Sequence, residues 1–284
     1  MTLAAMVVFF YGLFYGWRRL EIKHLDLYVA DLPASFEGYR ILQFSDAHVG
    51  SFYNSSEDVL QRDIDSINAQ KADMIVFTGD LQNTKPLDIV PFYTMLGSLH
   101  AKDGVYSILG NHDYAHYVKT DIFSAERNCR QTQKLERNMG WDLLMNENRV
   151  IVHGNDSIYL VGEENNSDNK EQDHVDRAKA YRGIPQEAFV IALQHNPRYW
   201  DESLVGDHAR AIARLTLSGH THAGQVNIFG LRPTEATYDY DYGLYEQQDR
   251  FLNVSGGLGG LVQFRVGATP EFTVITLHRL TTSK

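Results

Sequence analysis

The chain has 284 residues, a formal net charge of −10, 43% hydrophobic and 22% charged residues. This is the composition of a folded globular protein rather than a disordered one, and the acidic excess weighs against nucleic-acid binding, which needs clustered Lys and Arg. The one cysteine, Cys129, excludes an intrachain disulfide and a cysteine-ligated zinc, so any metal must be held by His, Asp and Asn.

Residues 3–17 form a charge-free apolar run rich in Phe and Tyr, followed by Arg18, Arg19 and Lys23. A full membrane span wants about 20 residues, and no basic n-region or small-residue cleavage site marks a signal peptide. Residues 1–20 are therefore expected to be an apolar N-terminal membrane anchor or the remnant of one, with a buried first helix or strand as the competing reading. The basic residues after it favour membrane association with the catalytic domain on the cytoplasmic side.

From about residue 35 strands, loops and helices alternate. Residues 39–44 read as a strand and 45–54 as a loop. Ser55 or Ser56 is placed to cap a helix whose apolar Val59, Leu60, Ile64 and Ile67 fall at helical spacing. Residues 74–77 read as a short buried strand, 86–99 as a helix and 105–109 as a strand. A polar helix follows over 120–139, ended by Gly140, and 141–144 is apolar again. Residues 150–152 and 158–161 read as a hairpin around Gly154, Asn155 and Asp156, and the charged stretch 163–174 as an exposed loop. Strands are expected over 189–193, 213–217, 226–229, 251–254 and 272–277. Alternating strands and helices followed by a run of strands predict an α/β sandwich with mixed sheets. No repeat or linker interrupts it, so a single catalytic domain is expected over residues 36–280.

Short fragments at the ends of these strands carry the chemistry: Asp46-Ala47-His48, Gly79-Asp80, Gly110-Asn111-His112-Asp113, His195, and Gly219-His220-Thr221-His222. Together they hold what a two-metal hydrolytic site needs. Two divalent ions about 3.5–4 Å apart stabilise charge on a phosphoryl group and generate hydroxide near neutral pH. One carboxylate must bridge them, and Asp80 is the natural candidate, since Gly79 before it frees the backbone to turn. Asp46 and His48 alternate in what would be an extended segment, as do His220 and His222, so each pair can point one way. Asn111 offers a neutral oxygen and His195 a further imidazole.

In this order, D-x-H, G-D, G-N-H-D, a lone His and G-H-x-H resemble the signature of the calcineurin-like metallophosphoesterase superfamily over about residues 39–278. The resemblance implies a four-layer α/β/β/α sandwich with two mixed β-sheets. It implies two divalent metal ions, one held by Asp46, His48, Asp80 and His222, the other by Asp80, Asn111, His195 and His220. It also implies a phosphoester substrate, attacked in line by a metal-bridging hydroxide. His112 is implied as the general acid, with Asp113 as its orienting partner. Manganese, zinc or ferrous iron would suit such mixed N/O ligands. Asn83 stands where purple acid phosphatases carry their iron-binding Tyr, so a tyrosinate-bound ferric ion is not expected.

The run 219–225, G-H-T-H-A-G-Q, resembles more narrowly a bacterial membrane-associated subgroup, the YkuE- and YaeI-like phosphodiesterases. So do 242–245 (Y-G-L-Y), 253–259 (N-V-S-G-G-L-G) and 270–271 (P-E). Some members cleave lipid-linked UDP-sugars, which implies a metal-dependent phosphoric ester hydrolase, of phosphodiesterase or pyrophosphatase type, acting on a lipid-linked phosphoester and attached to the membrane through the N-terminus. Ala223 departs from the subgroup's Gly, Ser255 or Gly256 from its Arg, and Asn196 from an Asp. These departures bear on substrate rather than on metals. Tyr114, His116, Tyr240 and Tyr242 are candidate substrate contacts. A phosphoprotein phosphatase, a nuclease and a non-catalytic metal-binding scaffold are the alternatives on the same fold.

Overall fold

The computed structural model describes residues 3–54, 56–117, 122–204 and 211–280. Its framework is two six-stranded sheets. The first contains β1 (Glu21–Val29), β2 (Tyr39–Phe44), β3 (Met74–Phe77), β4 (Val105–Ser107), β5 (Asp142–Leu143) and, from the C-terminal end, β12 (Glu271–Arg279). Their order is β1-β12-β2-β3-β4-β5; only the β12–β2 pairing is antiparallel. The second sheet contains β6 (Glu147–His153), β7 (Asp156–Gly162), β8 (Val190–Leu193), β9 (Leu215–Ser218), β10 (Gly243–Gln247) and β11 (Arg250–Val254). It runs β10-β11-β9-β8-β7-β6, with antiparallel pairs at its two edges and parallel pairs between.

Period-two burial explains the layering. On β2 and β3, Ile41, Met74 and Val76 face the second sheet and pack with Ile158, Leu160, Ile191 and Leu217. The alternate residues Leu42, Phe44, Ile75 and Phe77 face outward, against Val59, Leu60, Ile64 and Ile67 of α2 (Glu57–Ala69). The same outer layer holds α3 (Tyr93–Leu96) and α4 (Ile122–Asn138). The second sheet's outer face is covered by Ala180 and Tyr181 at the end of the short helix α5 (Arg177–Ala180) and by Ala211 and Ala213. Trp200, which opens α6 (Trp200–Leu204), packs on Leu252 and Val254. The result is a four-layer α/β/β/α sandwich. The loops after β2, β3, β4, β8 and β9 leave from one end of it, and every chemistry-bearing fragment lies there.

Several elements differ from the sequence expectation. Residues 86–99 are not one helix but 3-10 turns at Pro86–Asp88 and Val90–Phe92 followed by α3. Pro91 lacks the N–H a continuous helix needs and disfavours α geometry before it. Residues 226–229 form single bridges, Val226 to Val266 and Ile228 to Leu231, rather than a strand. Glu21–Val29 is an edge strand that charged Glu21, Lys23 and Asp26 disguise. The loop 163–174 is not wholly exposed: Glu163, Asn165 and Asn166 are buried. The N-terminal run forms α1 (Leu3–Phe14), whose large apolar side chains are mostly exposed rather than packed in a core. The start of the helix expected from residue 120, and Ser55, lie outside the described residues.

Candidate metal centre

The loops leave the strands by sharp turns. Asp46, His48, Asp80, His220 and His222 all have positive φ, between 39° and 76°. The expected extended alternation of Asp46 with His48, and of His220 with His222, is therefore corrected: both pairs sit on left-handed backbone. Such conformations cost non-glycine residues roughly 1–3 kcal/mol each, persist only where the surroundings hold them, and cluster at functional sites. Here the surroundings are hydrogen bonds between loops. Asp46 N–H donates to the Gly79 carbonyl at 2.9 Å and His48 N–H to that of Asp80 at 3.1 Å. His220 N–H donates to the two Asp46 carboxylate oxygens at 3.1 and 3.0 Å.

Two groups of ligand-type side chains result. Asp46, His48 and His222 each offer an atom within 4.8 Å of the others, and so do Asp80, His195 and His220. Asn111 joins the second group, its Oδ1 lying 3.1 Å from His195 Nε2 and 2.8 Å from His220 Nδ1. Asp80 stands between the two. Its Oδ1 accepts the His112 N–H at 2.8 Å, which leaves Oδ2 3.3 Å from His195 Nε2 and 3.7 Å from His48 Nε2.

The ring nitrogens test whether cations fit. His48 and His222 bring their Nε2 atoms to 3.3 Å, and His220 Nδ1 stands 3.2 Å from His195 Nε2. Burial, with neighbouring His112 and His195 adding to it, pushes His48 down to about 4. Burial and His195 push His220 down to about 3. Burial and His48 lower His222. Burial thus disfavours the charged form of all three rings, and the close approach of the ring nitrogens fits ligands turned toward a shared cation. His195 is the exception: burial opposes its charge, but Asp80 raises it to about 9. A donor set of imidazoles, carboxylates and an amide oxygen suits a first-row divalent ion.

Outer contacts orient three of the four rings, as metal-ligating imidazoles require. His48 Nδ1 bonds the Gln82 carbonyl at 3.1 Å and His195 Nδ1 that of Thr78 at 2.7 Å. His220 Nε2 bonds the Tyr238 hydroxyl at 3.0 Å. His222 Nδ1 is buried with no hydrogen-bond partner among the described residues. Motif glycines make room for these groups. A Cβ on Gly219 would stand 2.2 Å from Asp46 Oδ2, and one on Gly79, which has φ 97°, 2.8 Å from His195 Nδ1.

His112 sits on the rim, partly buried. Its Nδ1 donates to the Asn83 carbonyl at 2.6 Å, and its ring stacks on Tyr117 with centroids 4.4 Å apart. The expected partner does something else. The Asp113 carboxylate accepts the backbone N–H groups of Asp80 at 2.8 Å, Leu81 at 3.0 Å, Gln82 at 3.2 Å and Gly110 at 2.9 Å. Asp113 therefore ties the loop after β3 to the loop after β4 and does not orient His112.

The four tyrosine and histidine candidates lie elsewhere. Tyr240 bonds Asp201 at 2.8 Å and packs on Trp200. Tyr242 bonds Glu271 at 2.8 Å and Lys23. Neither is brought to the metal clusters; of the aromatic run 238–242 it is Tyr238 that reaches them, and Tyr117 accepts a hydrogen bond from Asn111 Nδ2 at 2.8 Å. Tyr114 and His116 stack with His174 and line a separate cleft of ≈ 560 Å³ with Ala125, Cys129 and Gln133. The cleft beside the second cluster, ≈ 330 Å³, is lined by Asn111, Tyr117, Asn166, Asn196, Arg198 and Tyr238. Arg198 lies over the Tyr238 ring, 4.9 Å from its centroid. The buried Arg265, near the subgroup's arginine position, donates instead to the carbonyls of Ala268, Gly257 and Gly259. The supporting groups that motifs do not reveal are mostly backbone carbonyls, which leave no mark in side-chain patterns.

The model for calcineurin-like phosphoesterases matches residues 39–224. YkuE of Bacillus subtilis, an uncharacterized metallophosphoesterase, is 29% identical over 93% of this chain and 89% of its own length. An uncharacterized metallophosphoesterase of Helicobacter pylori is 27% identical over 90% of this chain and 63% of its own length. A Danio rerio protein named as a transmembrane protein with metallophosphoesterase domain is 29% identical over 95% of this chain and 60% of its own length. The chain thus spans less than two thirds of the latter two relatives. With more than half of its residues matched by the family model, the chain belongs to the calcineurin-like metallophosphoesterase family.

Proposed function

We propose that the chain is a dinuclear metal-dependent phosphohydrolase, of phosphodiesterase or pyrophosphatase type, acting on a phosphoester carried by a membrane lipid. The observation that carries this reading is the Asp80 carboxylate, held at Oδ1 by the His112 amide and presenting Oδ2 to an imidazole of each cluster. In this reading Asp46, His48, Asp80 and His222 hold one ion, and Asp80, Asn111, His195 and His220 the other. Two such ions, as manganese, zinc or ferrous iron, would supply Lewis-acid stabilisation of the phosphoryl oxygens and a water ionised near neutral pH.

The remaining chemistry belongs to the chain's own side chains. With its Nδ1 proton held on the Asn83 carbonyl, His112 has Nε2 left to deliver a proton to the leaving oxygen. The stack on Tyr117 limits how that ring can swing. Arg198, in the cleft beside the second cluster, is the cation placed for a second phosphoryl group of the substrate. The lipid-linked class is supported by the exposed apolar helix α1 and by the name of the Danio rerio relative. No helix among the described residues is long and apolar enough to cross a membrane. The attachment proposed is through residues 1–20 as a membrane anchor or the remnant of one, with the catalytic domain on the cytoplasmic face.

The test compares hydrolysis of a lipid-linked UDP-sugar, a phosphopeptide, a cyclic nucleotide and bis-p-nitrophenyl phosphate with Mn²⁺ supplied. The lipid-linked substrate is expected to show the highest kcat/KM. A phosphopeptide or cyclic nucleotide in that place defeats the substrate class. An Asp80→Ala protein that hydrolyses bis-p-nitrophenyl phosphate at the wild-type rate defeats the mechanism.

A further inference from the structure

Three segments distant in sequence meet on one face of the molecule. Helix α1 presses Gly12 against Phe264 and Val266, where an added Cβ would stand 2.7 Å from each. Arg265 N–H donates to the Gly12 carbonyl at 3.2 Å, and the Phe9 and Phe264 rings lie 5.7 Å apart. The segment 225–231 is tied to the same stretch. Asn227 N–H donates to the Val266 carbonyl at 2.7 Å, and Gln225 Nε2 to those of Val262 and Phe264, each at 2.9 Å. Val7, Phe10 and Phe14 of α1, Val262, Phe229 and Leu231 all remain exposed.

Two features mark this face as one that is covered. Helix α1 is apolar on every side, which suits a core or lipid and not water. Phe229 is fully exposed, at 103%, on a tight turn closed by reciprocal Ile228–Leu231 hydrogen bonds of 3.0 and 3.1 Å. Its φ is 53° and that of the following Gly230 is 91°. Asn or Gly would sit at the first of these positions without strain, and a bulky aromatic does not. A large apolar side chain is thus held outward where both water and the backbone disfavour it.

The distribution of charge indicates what covers it. The chain carries 36 acidic residues, yet none falls in 3–20, 226–234 or 258–270. The exposed Arg18 and Arg19 follow α1 at the end of the 3-10 turn Gly16–Arg18, near the exposed Tyr11 and Tyr15. Apolar insertion flanked by arginine and tyrosine is the chemistry of a lipid interface, strengthened by anionic headgroups. We propose that the turn 228–231, with Leu261 and Val262, inserts into the bilayer interface beside α1 and docks the metal-bearing end of the sandwich on the lipid surface. The proposal deepens the lipid-linked reading above and rests on it only for the presence of a membrane. Gln225, which ties the inserted turn to 262–264, is three residues beyond His222, so the docked face adjoins the metal centre.

The test uses the full-length chain and vesicles of phosphatidylethanolamine and phosphatidylglycerol, with vesicles of phosphatidylcholine alone for comparison. Phe229→Cys is labelled with an environment-sensitive nitrobenzoxadiazole dye. Val152→Cys is labelled likewise: Val152 is also exposed, but it lies beside the start of β7, at the end of the sandwich opposite the metal centre. The label at 229 should shift to the blue on vesicles and be quenched by lipids spin-labelled near the headgroup, while the label at 152 does neither. The Phe229→Ser, Leu231→Ser double variant should partition onto vesicles about ten-fold more weakly, and both lipid compositions should support insertion, the anionic one more tightly. A label at 229 that stays in water on chain-loaded vesicles overturns the proposal, as does a chain that binds no vesicles. So does a sedimenting dimer that the double variant dissociates, since the face would then be covered by a second copy. Hydrolysis of bis-p-nitrophenyl phosphate by the labelled protein is read separately: insertion without hydrolysis would sink the enzymatic reading and leave the docking intact.

Discussion

The two metal clusters are built from similar residues but are supported differently. In the second, His195 is oriented by the Thr78 carbonyl, His220 by the Tyr238 hydroxyl, and Asn111 Oδ1 lies within 3.1 Å of both rings. In the first, His48 is oriented by the Gln82 carbonyl, while His222 has no partner for Nδ1. An imidazole whose second nitrogen is bonded loses little freedom when it takes a metal; one without such a bond must be ordered by the metal itself. The difference teaches that the second cluster is the stiffer half of the centre. The ion held by Asp46, His48 and His222 is then expected to be the more exchangeable.

The largest effect should come from the residue common to both halves. Asp80→Ala should empty both clusters and reduce hydrolysis to background, whereas His222→Ala should remove one ion and keep the other. Metal content by mass spectrometry, measured beside the rate, separates the two outcomes. Equal metal loss in both variants would break the claim that only Asp80 is shared. Next comes the proposed acid, His112. His112→Asn should lower the rate by about 10²- to 10⁴-fold with both ions retained, because the His112 ring lies outside both groups of ligand atoms. Loss of an ion with that substitution would make His112 a ligand instead. A third effect is kinetic. A chelator added to the two-metal protein should remove ions in two phases, the first of which disappears in His222→Ala. A single phase would erase the comparison between the halves.

How much of this was legible in the sequence depends on what each element asks of its residues. Strands β2 and β3 have the expected bounds, because central strands buried on both faces are dominated by apolar residues, without a break in β3 and with only Arg40 and Gln43 as polar members of β2. Strand β1 was not legible, since an edge strand tolerates Glu21, Lys23 and Asp26. The turn at 226–229 misled because an apolar run reads as a buried strand, whereas here Ile228 and Phe229 are exposed and only single bridges form. At the site, residue types and order were readable, and the structure brings the motif side chains together. Their backbone was not: nothing in Asp46-Ala47-His48 announces left-handed turns. Asp113 looked like a partner for His112 because it is its neighbour in sequence, yet four amides of the two loops claim its carboxylate. In the aromatic run Tyr238 to Tyr242 the hydroxyl that matters is chosen by the path of the loop, and side-chain type carries no information about that.

Tyr238 is also the finest instrument for the comparison. Its hydroxyl is 3.0 Å from His220 Nε2, the nitrogen that faces away from Asn111, and Arg198 covers its ring at 4.9 Å. Tyr238→Phe keeps the ring and the stack and deletes one hydrogen bond. If that bond stiffens the second cluster, its ion should bind roughly ten-fold more weakly, at the low end of the cost of losing an outer partner. The first cluster should be untouched, since its rings, His48 and His222, make no contact with Tyr238 among the described residues. Chelator competition on the variant should therefore bring the two phases closer together in rate by slowing neither and speeding only the second. A variant that instead speeds the first phase would show that the two halves communicate through Asp80, and that the stiffness assigned to one cluster belongs to the pair.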